Sequence, residues 1–273
     1  NASFGKIVLI FRVRHKSASF VFSFFQYNEI ISLPDGLVKH RTGSRTCTGR
    51  REKRKGERRG KDMLTNVFTG KKVLFQGDSI TDCDRDRTTN DLGPGYPAKV
   101  AEVYRCLNPG SGAEFINRGI SGNRSCDLLA RYEEDFLAVK PDFISILIGI
   151  NDTWRGYDSA DPTSAEAYEK NYRTLLEWIR RDLPQTKLMV IEPFLIPTDP
   201  QKDCWHEDLD PKIQAARKLA REYADFFLPM DGLFQRTIVK GARPEELSAD
   251  GVHPTEKGHA VIASEYLKLL GLI

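Results

Sequence analysis

The residues of this chain best suited to chemistry begin with a serine that directly follows an apolar run. Ser79 stands in the motif GDSITD at residues 77–82, after the run 73–76. A serine at a turn from strand to helix exposes its hydroxyl at the edge of a sheet. The first N–H groups of the helix lack partners there and favour a negative charge. A nucleophile whose attack creates an oxyanion needs both features.

An aspartate and a histidine near the C-terminus can supply the base. Asp250 and His253 lie three residues apart in the motif DGVHP at 250–254. An aspartate in this position can accept the Nδ1 proton of the histidine, which leaves Nε2 free to take a proton from Ser79. The structural alternative is an ordinary loop histidine beside an aspartate that caps the following helix.

Two further motifs offer donors for an oxyanion. Asn151 follows the apolar run 143–148 in the motif GIND, and Gly119 follows the run 115–117 in the motif NRGISGN. A side-chain amide that donates to the developing negative charge lowers the barrier by about 3 kcal/mol. A glycine lets the backbone approach a ligand with its N–H unobstructed. With the Ser79 N–H, these groups would form an oxyanion hole.

The elements that must position these residues alternate regularly from residue 71 onward. Short runs rich in Val, Ile, Leu and Phe predict parallel strands buried on both faces. These runs are 73–76, 115–117, 143–148, 188–191 and 226–229. Apolar periodicity predicts helices at 96–107, 125–139 with Ser125 as its N-cap, 164–182, 211–224 and 256–270. The alternation predicts an α/β fold, a three-layer αβα sandwich around a five-stranded parallel sheet, with ligands at the carboxyl ends of the strands.

The order of the motifs GDSITD, NRGISGN, GIND and DGVHP resembles the four sequence blocks of the SGNH (GDSL) hydrolase superfamily, from residue 72 to the C-terminus. The longer stretches around the first three motifs look like the bacterial subgroup that includes intracellular acetylxylan esterases. The resemblance implies a flavodoxin-like fold without metal or cofactor. It implies Ser79, Asp250 and His253 as the catalytic triad, and Ser79, Gly119 and Asn151 as the oxyanion hole.

Residues 1–62 differ from the rest of the chain in charge and have no counterpart in the superfamily pattern. They hold 15 Lys and Arg against 5 Asp and Glu, although the whole chain has a net charge of only +3. Such a charge split usually marks a separate tail. We expect a basic N-terminal extension at 1–62, a catalytic domain at 63–273 and a native start close to Met63. The alternative is a tether that binds nucleic acid.

Composition bounds the class of protein and its location. Hydrophobic residues make up 40% and charged residues 29%, as in ordinary globular proteins. No apolar run approaches the roughly 18 to 20 residues that span a bilayer, and no secretory signal is recognisable. We therefore predict a cytoplasmic protein that binds neither membrane nor nucleic acid, with homo-oligomer formation left open. The five cysteines include no CxxC pair, which argues against a disulfide framework or a zinc site.

Aromatic residues near the motifs suggest the kind of substrate. Trp154 and Tyr157 follow Asn151, Trp205 lies in a later loop, and Asp78 precedes the nucleophile. Aromatic side chains can stack on a sugar or close a small acyl pocket, although ordinary core packing is the alternative. We expect a small-molecule ester with a short acyl group, acetyl to butyryl, with carbohydrate esters as one option. Lipase, lysophospholipase or thioesterase activity is the alternative within the superfamily.

Two functions from other classes remain open on the sequence. The acidic cluster Asp78, Asp82, Asp84 and Asp86 suits the hard cation of a metal-dependent phosphohydrolase, although a solvated patch at a helix N-terminus explains it as well. The other function is a non-enzymatic binding module. The α/β-hydrolase fold is disfavoured because the chain contains no G-x-S-x-G motif.

Overall fold

The computed structural model describes residues 67–273. The predicted extension 1–62, the boundary at Met63 and the thiol of Cys47 lie outside the described residues. The other four cysteines are free thiols. Within residues 67–273, no helix combines the length and the apolar character that a membrane crossing requires.

Five strands form one parallel sheet in the described part of the chain. They are β1 (Lys72–Gly77), β2 (Glu114–Asn117), β3 (Phe143–Leu147), β4 (Lys187–Ile191) and β5 (Phe226–Leu228). The strand order is β2-β1-β3-β4-β5, and all neighbouring pairs are parallel. Each predicted strand is present, with its ends shifted by no more than one residue. The predicted α/β fold is therefore confirmed.

Helices connect the strands and cover both faces of the sheet. They are α1 (Ser79–Asp82), α2 (Tyr96–Leu107), α3 (Ser125–Ala130), α4 (Ile150–Asp158), α5 (Ala165–Asp182), α6 (His206–Tyr223), α7 (Met230–Val239), α8 (Pro244–Leu247) and α9 (Glu256–Leu269). On β1, Val73 and Phe75 enter a hydrophobic cluster with residues of α2, α7 and α9. Leu74 enters a second cluster with residues of α3, α5 and α6. Successive side chains of a strand point to opposite faces, so burial on both faces explains the continuous apolar runs.

Two predicted helices differ from the observed ones. The predicted helix 125–139 divides into α3 and a separate π-helical turn, Glu133–Leu137. The wider turn accompanies the burial of two adjacent residues, Asp135 and Phe136, and Asp135 accepts from Gln76 Nε2 at 2.9 Å. Ser125 is the first helical residue rather than the N-cap, which is Arg124.

The second difference is that α6 begins at His206, five residues before the predicted start at Pro211. A proline inside a helix removes one backbone hydrogen bond and costs about 3 kcal/mol. Burial of Leu209 in the core and the hydrogen bond from His206 Nδ1 to Asp210 Oδ1, 2.9 Å, favour the additional turn. A 3-10 helix, Pro200–Trp205, leads directly into it.

The strand order reverses between β1 and β3, because the chain passes from β1 to β2 on one side and then crosses to β3 on the other. In doubly wound sheets this reversal opens a crevice at the carboxyl ends of the two strands, where ligands bind. Ser79 follows the end of β1, and Asn151 lies in the first turn of α4, just after β3. The fold therefore brings the first and third motifs to the same crevice.

Candidate active site

Ser79 is the first residue of a very short helix that is held in place by the preceding aspartate. Asp78 is the N-cap of α1, and its Oδ1 accepts the N–H of Ile80 at 3.0 Å. Ile80 is 1% exposed and belongs to the core, whereas Ser79 is half-buried. The Ser79 N–H lies in the first turn, where backbone donors have no acceptor within the helix. The helix thus presents both the hydroxyl and a backbone donor to the crevice.

Asp78 is therefore placed differently from the substrate contact that we expected. Its side chain is 1% exposed, because it turns inward to cap α1 beneath the crevice. Burial raises the pKa of Asp78 to about 7. A capping carboxyl group enclosed in this way stabilises the start of the helix that carries Ser79 and has almost no exposed surface.

Asp250 and His253 are joined by a tight turn between α8 and α9. Oδ1 of Asp250 accepts the N–H of Val252 at 2.9 Å and the N–H of His253 at 2.7 Å, while Oδ2 is 2.7 Å from Nδ1 of His253. Gly251 has a φ of +86°, and a Cβ there would approach the Ile196 carbonyl oxygen to 2.7 Å. A glycine is needed at this position because side chains disfavour that φ and because the strand-end loop passes so closely.

The turn directs the imidazole at the serine. His253 Nε2 is 3.0 Å from Ser79 Oγ, across 174 residues of sequence. Hydrogen bonding to Asp250 raises the pKa of His253 above its ordinary value, although burial opposes this effect. Burial raises the pKa of Asp250, but the bonds that it accepts outweigh burial and hold that pKa well below its usual range. The structure therefore brings Ser79, His253 and Asp250 into one continuous hydrogen-bonded chain.

The side-chain amide of Asn151 is held at the same crevice by a neighbouring loop. Asn151 Nδ2 donates to the Asn123 carbonyl at 3.0 Å. An amide nitrogen carries two hydrogens, so this bond leaves the second for a ligand. The next residue, Asp152, is buried and accepts from Ser125 Oγ at 2.6 Å, which fixes α4 against α3. These bonds give Asn151 a defined orientation.

Gly119 lies against α1, but its N–H is not as unobstructed as the sequence suggested. A Cβ at Gly119 would approach the N–H nitrogen of Asp82 to 2.5 Å, so only glycine allows this contact. The Gly119 N–H donates to Asn117 Oδ1 at 2.9 Å. An oxyanion at this position would have to share that donor with Asn117 or displace it. Asn117 is thus a neighbour of the candidate oxyanion hole that our sequence analysis did not identify.

The Gly119 loop is fastened to α1 by buried polar contacts. Asp82 Oδ2 accepts from Ser121 N at 3.1 Å and from Ser121 Oγ at 2.8 Å. Arg85 Nη2 donates to the Gly119 carbonyl at 3.2 Å. Although burial opposes it, hydrogen bonding from Arg87 and Ser121 lowers the pKa of Asp82. These contacts connect the Gly119 loop rigidly to the helix that carries Ser79.

Only half of the acidic cluster fits the solvated patch that we considered. Asp78 and Asp82 are both 1% exposed, whereas Asp84 and Asp86 are exposed. Asp82 bonds to arginine and serine side chains, and Asp86 accepts the N–H of Thr88 at 2.9 Å. Among residues 67–273, no group of three or more His, Cys, Asp or Glu side chains is arranged to hold a metal ion. The cluster therefore gives no support to the phosphohydrolase hypothesis.

Three aromatic side chains stand beside the histidine and form what we call the aromatic wall: Trp154, Tyr157 and Trp205. The ring of Trp154 is 5.6 Å from that of His253 and 5.5 Å from that of Trp205. Tyr157 stacks on Trp205 at 5.0 Å and donates to the Cys204 carbonyl at 3.0 Å. Trp205 is 6% exposed and Tyr157 is 46% exposed. The three residues expected near the substrate therefore lie together, with Tyr157 outermost.

Two other histidines lie in structural contacts. His259 is 5% exposed; its Nδ1 accepts the N–H of Tyr96 at 3.2 Å, and its Nε2 is 3.3 Å from Cys83 Sγ. Burial lowers the pKa of His259 to about 4. His206 pairs with Asp210 at the start of α6. Of the histidines in residues 67–273, His253 alone is hydrogen-bonded to both a serine hydroxyl and a carboxylate.

Comparison with known proteins identifies the family of the chain. The model of the GDSL-like lipase/acylhydrolase family matches residues 75–261. The chain is 37% identical over 212 residues to an acetylxylan esterase of Geobacillus stearothermophilus, a match that spans 75% of this chain and 96% of that protein. The crystal structure of the acetylxylan esterase from that organism superposes with a TM-score of 0.69 at 34% identity, covering 76% of this chain and 96% of the other. A structure from Parabacteroides merdae, described as that of a candidate GDSL-like lipase, gives a TM-score of 0.68 at 35% identity, with coverages of 75% and 97%.

The match to the family extends over most of the chain and includes the end of β1, Ser79 and the turn that carries Asp250 and His253. It is joined by a long alignment to an esterase and by solved structures with the same fold. On these grounds the chain belongs to the GDSL-like lipase/acylhydrolase family, the SGNH hydrolases, and is a carboxylic ester hydrolase.

Proposed function

We propose that Ser79, His253 and Asp250 act as a catalytic triad that hydrolyses esters through an acyl-enzyme. The observation that carries the proposal is the unbroken chain from Ser79 Oγ to His253 Nε2, 3.0 Å, and from His253 Nδ1 to Asp250 Oδ2, 2.7 Å. A serine is activated when a base is within hydrogen-bond reach and a third group orients that base.

Each step of the proposed mechanism uses a group already described. His253 Nε2 takes the proton of Ser79 as Oγ attacks the ester carbonyl, and Asp250 stabilises the imidazolium. The alcohol leaves with the proton from His253. Water then gives a proton to His253 and attacks the acyl carbonyl, the carboxylic acid leaves, and His253 returns the proton to Ser79 Oγ. The raised pKa of His253 suits this exchange, because the imidazole must both accept and return a proton.

The proposed oxyanion hole consists of the Ser79 N–H, the second N–H of the Asn151 amide and the Gly119 N–H. Support comes from their common position at the carboxyl ends of β1, β2 and β3. The Gly119 N–H already donates to Asn117 Oδ1, so it could donate to the oxyanion only by weakening or losing that hydrogen bond. We therefore expect Asn151 to contribute more than Gly119 to the stabilisation of the transition state.

Replacement of Asn151 by alanine is expected to lower kcat by roughly a hundredfold to a thousandfold with little change in KM, because one donor to the oxyanion is lost. Steady-state kinetics on an aryl acetate measure this effect. The matched control is Asn108→Ala, which also removes an amide bonded to a backbone carbonyl, Tyr104 at 3.2 Å, but at the end of α2. A similar small loss in both variants would show that Asn151 is only structural.

We further propose that the substrate is a short-chain ester, above all an acetyl ester of a xylo-oligosaccharide. The relatives support this: one is an acetylxylan esterase, and one solved variant of it is described as an acetyl-xylooligosaccharide esterase. The aromatic wall beside His253 also supports it, because an exposed aromatic face such as that of Tyr157 can stack on a sugar ring.

A substrate panel tests this proposal with the full chain. Aryl esters from acetyl to decanoyl, acetylated xylosides and a lysophospholipid would be compared by kcat/KM. We expect a maximum at acetyl to butyryl, and a larger kcat/KM for the acetylated xyloside than for an aryl acetate. A maximum at eight carbons or longer would instead favour the lipase or lysophospholipase alternative.

A further inference from the structure

Lys202 contacts both the Asp250 turn and the aromatic wall, although it lies in none of the motifs that the sequence analysis singled out. It lies in the 3-10 helix Pro200–Trp205 and is half-buried. Its Nζ donates to the backbone carbonyl of Asp250. The same Nζ is 5.3 Å from the ring centroid of Trp154 and 5.3 Å from that of Trp205.

The Asp250 carbonyl and the rings of Trp154 and Trp205 together hold the ammonium group in place. A cation within about 6 Å of an aromatic face is attracted by the quadrupole of the ring. The hydrogen bond to a carbonyl of the Asp250 turn is charge-assisted and therefore stronger than a neutral one. Asp199 caps the short helix by accepting the N–H of Gln201 at 3.0 Å, and the buried Trp205 anchors its other end. The lysine thus starts from a defined backbone position.

We propose that Lys202 is a positioning residue that clamps the Asp250 turn against the aromatic wall and so holds His253 in line with Ser79. The inference rests on the proposed triad. Other bonds tie the turn to its neighbours in the chain and to the loop after β4. Ser248 Oγ donates to Asp250 Oδ1 at 3.1 Å and to the His253 carbonyl at 2.8 Å, and Ile196 N donates to the Gly251 carbonyl at 2.8 Å. Lys202 adds a contact between the turn and the aromatic wall, at the backbone of Asp250, whose side chain orients the imidazole of His253.

The charge of Lys202 supplies a readout that a purely structural lysine would not have. The charged and titratable groups around His253 are Asp250, Asp78, Lys202 and His259. The hydrogen bond to Asp250 and the charge of Asp78 raise the pKa of His253, whereas Lys202 lowers it. Removing the ammonium group should therefore raise the pKa of His253 and move the acidic limb of the pH–kcat/KM profile to higher pH.

The test is Lys202→Met, which keeps an unbranched apolar stem, beside Lys202→Arg, which restores a cation. We expect Lys202→Met to lose about tenfold in kcat/KM, mostly in kcat, because a charged hydrogen bond to the turn is lost. Its acidic limb should move to higher pH. We expect Lys202→Arg to keep the wild-type limb and most of the activity. The matched control is Lys218→Met, which removes the same charge from a pair with Glu169 at 2.7 Å.

The outcomes distinguish a failure of the Lys202 proposal from a failure of the triad proposal. An acidic limb in Lys202→Met that coincides with the wild type, or a Lys202→Arg variant as impaired as Lys202→Met, would overturn the clamp. A rise in KM alone would also overturn it, because Lys202 would then be a substrate contact. Failure of the triad proposal would show separately, as activity that survives the loss of the Ser79 hydroxyl.

Discussion

Replacement of Ser79 by alanine is expected to lower kcat on an aryl acetate by about a hundred-thousandfold to a millionfold, leaving only the residual catalysis that binding and the oxyanion hole provide. The reason is that Ser79 Oγ is the atom which His253 Nε2 can deprotonate, at 3.0 Å. Folding should be unaffected, because the core contact of α1 is made by Ile80 and its cap by Asp78. Initial rates with highly purified protein and a thermal melt measure the two properties.

Chemical labelling makes this result specific to the proposed mechanism. A fluorophosphonate reacts with a serine only when a base activates it, so the wild type should be labelled at Ser79 and the Ser79→Ala variant should not be. Ser159→Ala is the control, since Ser159 is exposed and bonds to Asp158 outside the site. Near-normal turnover by Ser79→Ala, or labelling that survives the substitution, would refute the triad.

The sequence predicted the framework of this site well because its determinants are local. A strand buried on both faces needs apolar residues throughout, so runs such as 143–148 locate β3 almost to the residue. The motif DGVHP predicted the Asp250–His253 pair because a tight turn brings side chains three residues apart into contact, and the distance is 2.7 Å.

The features that the sequence did not reveal depend on contacts between distant segments. Lys202 and Asp250 are 48 residues apart in the sequence, and no local pattern around Lys202 predicts the hydrogen bond between them. The acidic residues after Ser79 look alike in the sequence, yet Asp82 is buried because Arg85, Arg87 and a serine from the next loop enclose it. Burial of a carboxylate requires such partners, and the fold alone determines which carboxylate receives them.

The same limit applies to Gly119. A glycine after a strand indicates a close approach of the backbone, and α1 does pack against Gly119. The N–H of Gly119 donates to Asn117 Oδ1. The Nδ2 atom of Asn117 donates in turn to the Thr81 carbonyl at 2.6 Å and to the Leu92 carbonyl at 2.9 Å. Only this network orients the Asn117 oxygen towards Gly119. The site is therefore organised by polar bonds among its loops as much as by the sheet.

The second large effect is expected for Asp250→Asn, a loss of about ten-thousandfold in kcat. The asparagine Oδ1 can still accept the N–H groups of Val252 and His253, so the turn should survive. Its NH₂ group, however, would face Nδ1 of His253, so Nδ1 would have to accept a hydrogen bond. The neutral imidazole would then carry its single proton on Nε2. The imidazole could no longer accept the proton of Ser79.

The pH profile of the Asp250→Asn variant should change in a definite direction. Catalysis requires neutral His253, so kcat/KM falls as the pH falls through the pKa of that residue. In the wild type, the hydrogen bond to Asp250 raises this pKa, which places the acidic limb above the ordinary value of about 6.5. Loss of the carboxylate removes the main cause of that increase, so the residual activity should have its acidic limb at lower pH, opposite to the shift expected for Lys202→Met.

A matched control distinguishes this result from a general effect of removing a carboxylate. Asp210→Asn alters another aspartate that is paired with a histidine, His206, at 2.9 Å on the exposed start of α6, and it should leave both kcat and the pH profile as they are. An Asp250→Asn variant within tenfold of wild-type kcat, or one whose acidic limb does not move, would mean that Asp250 does not orient the catalytic base. The 2.7 Å contact would then serve only to hold the turn, and His253 would act without a carboxylate partner.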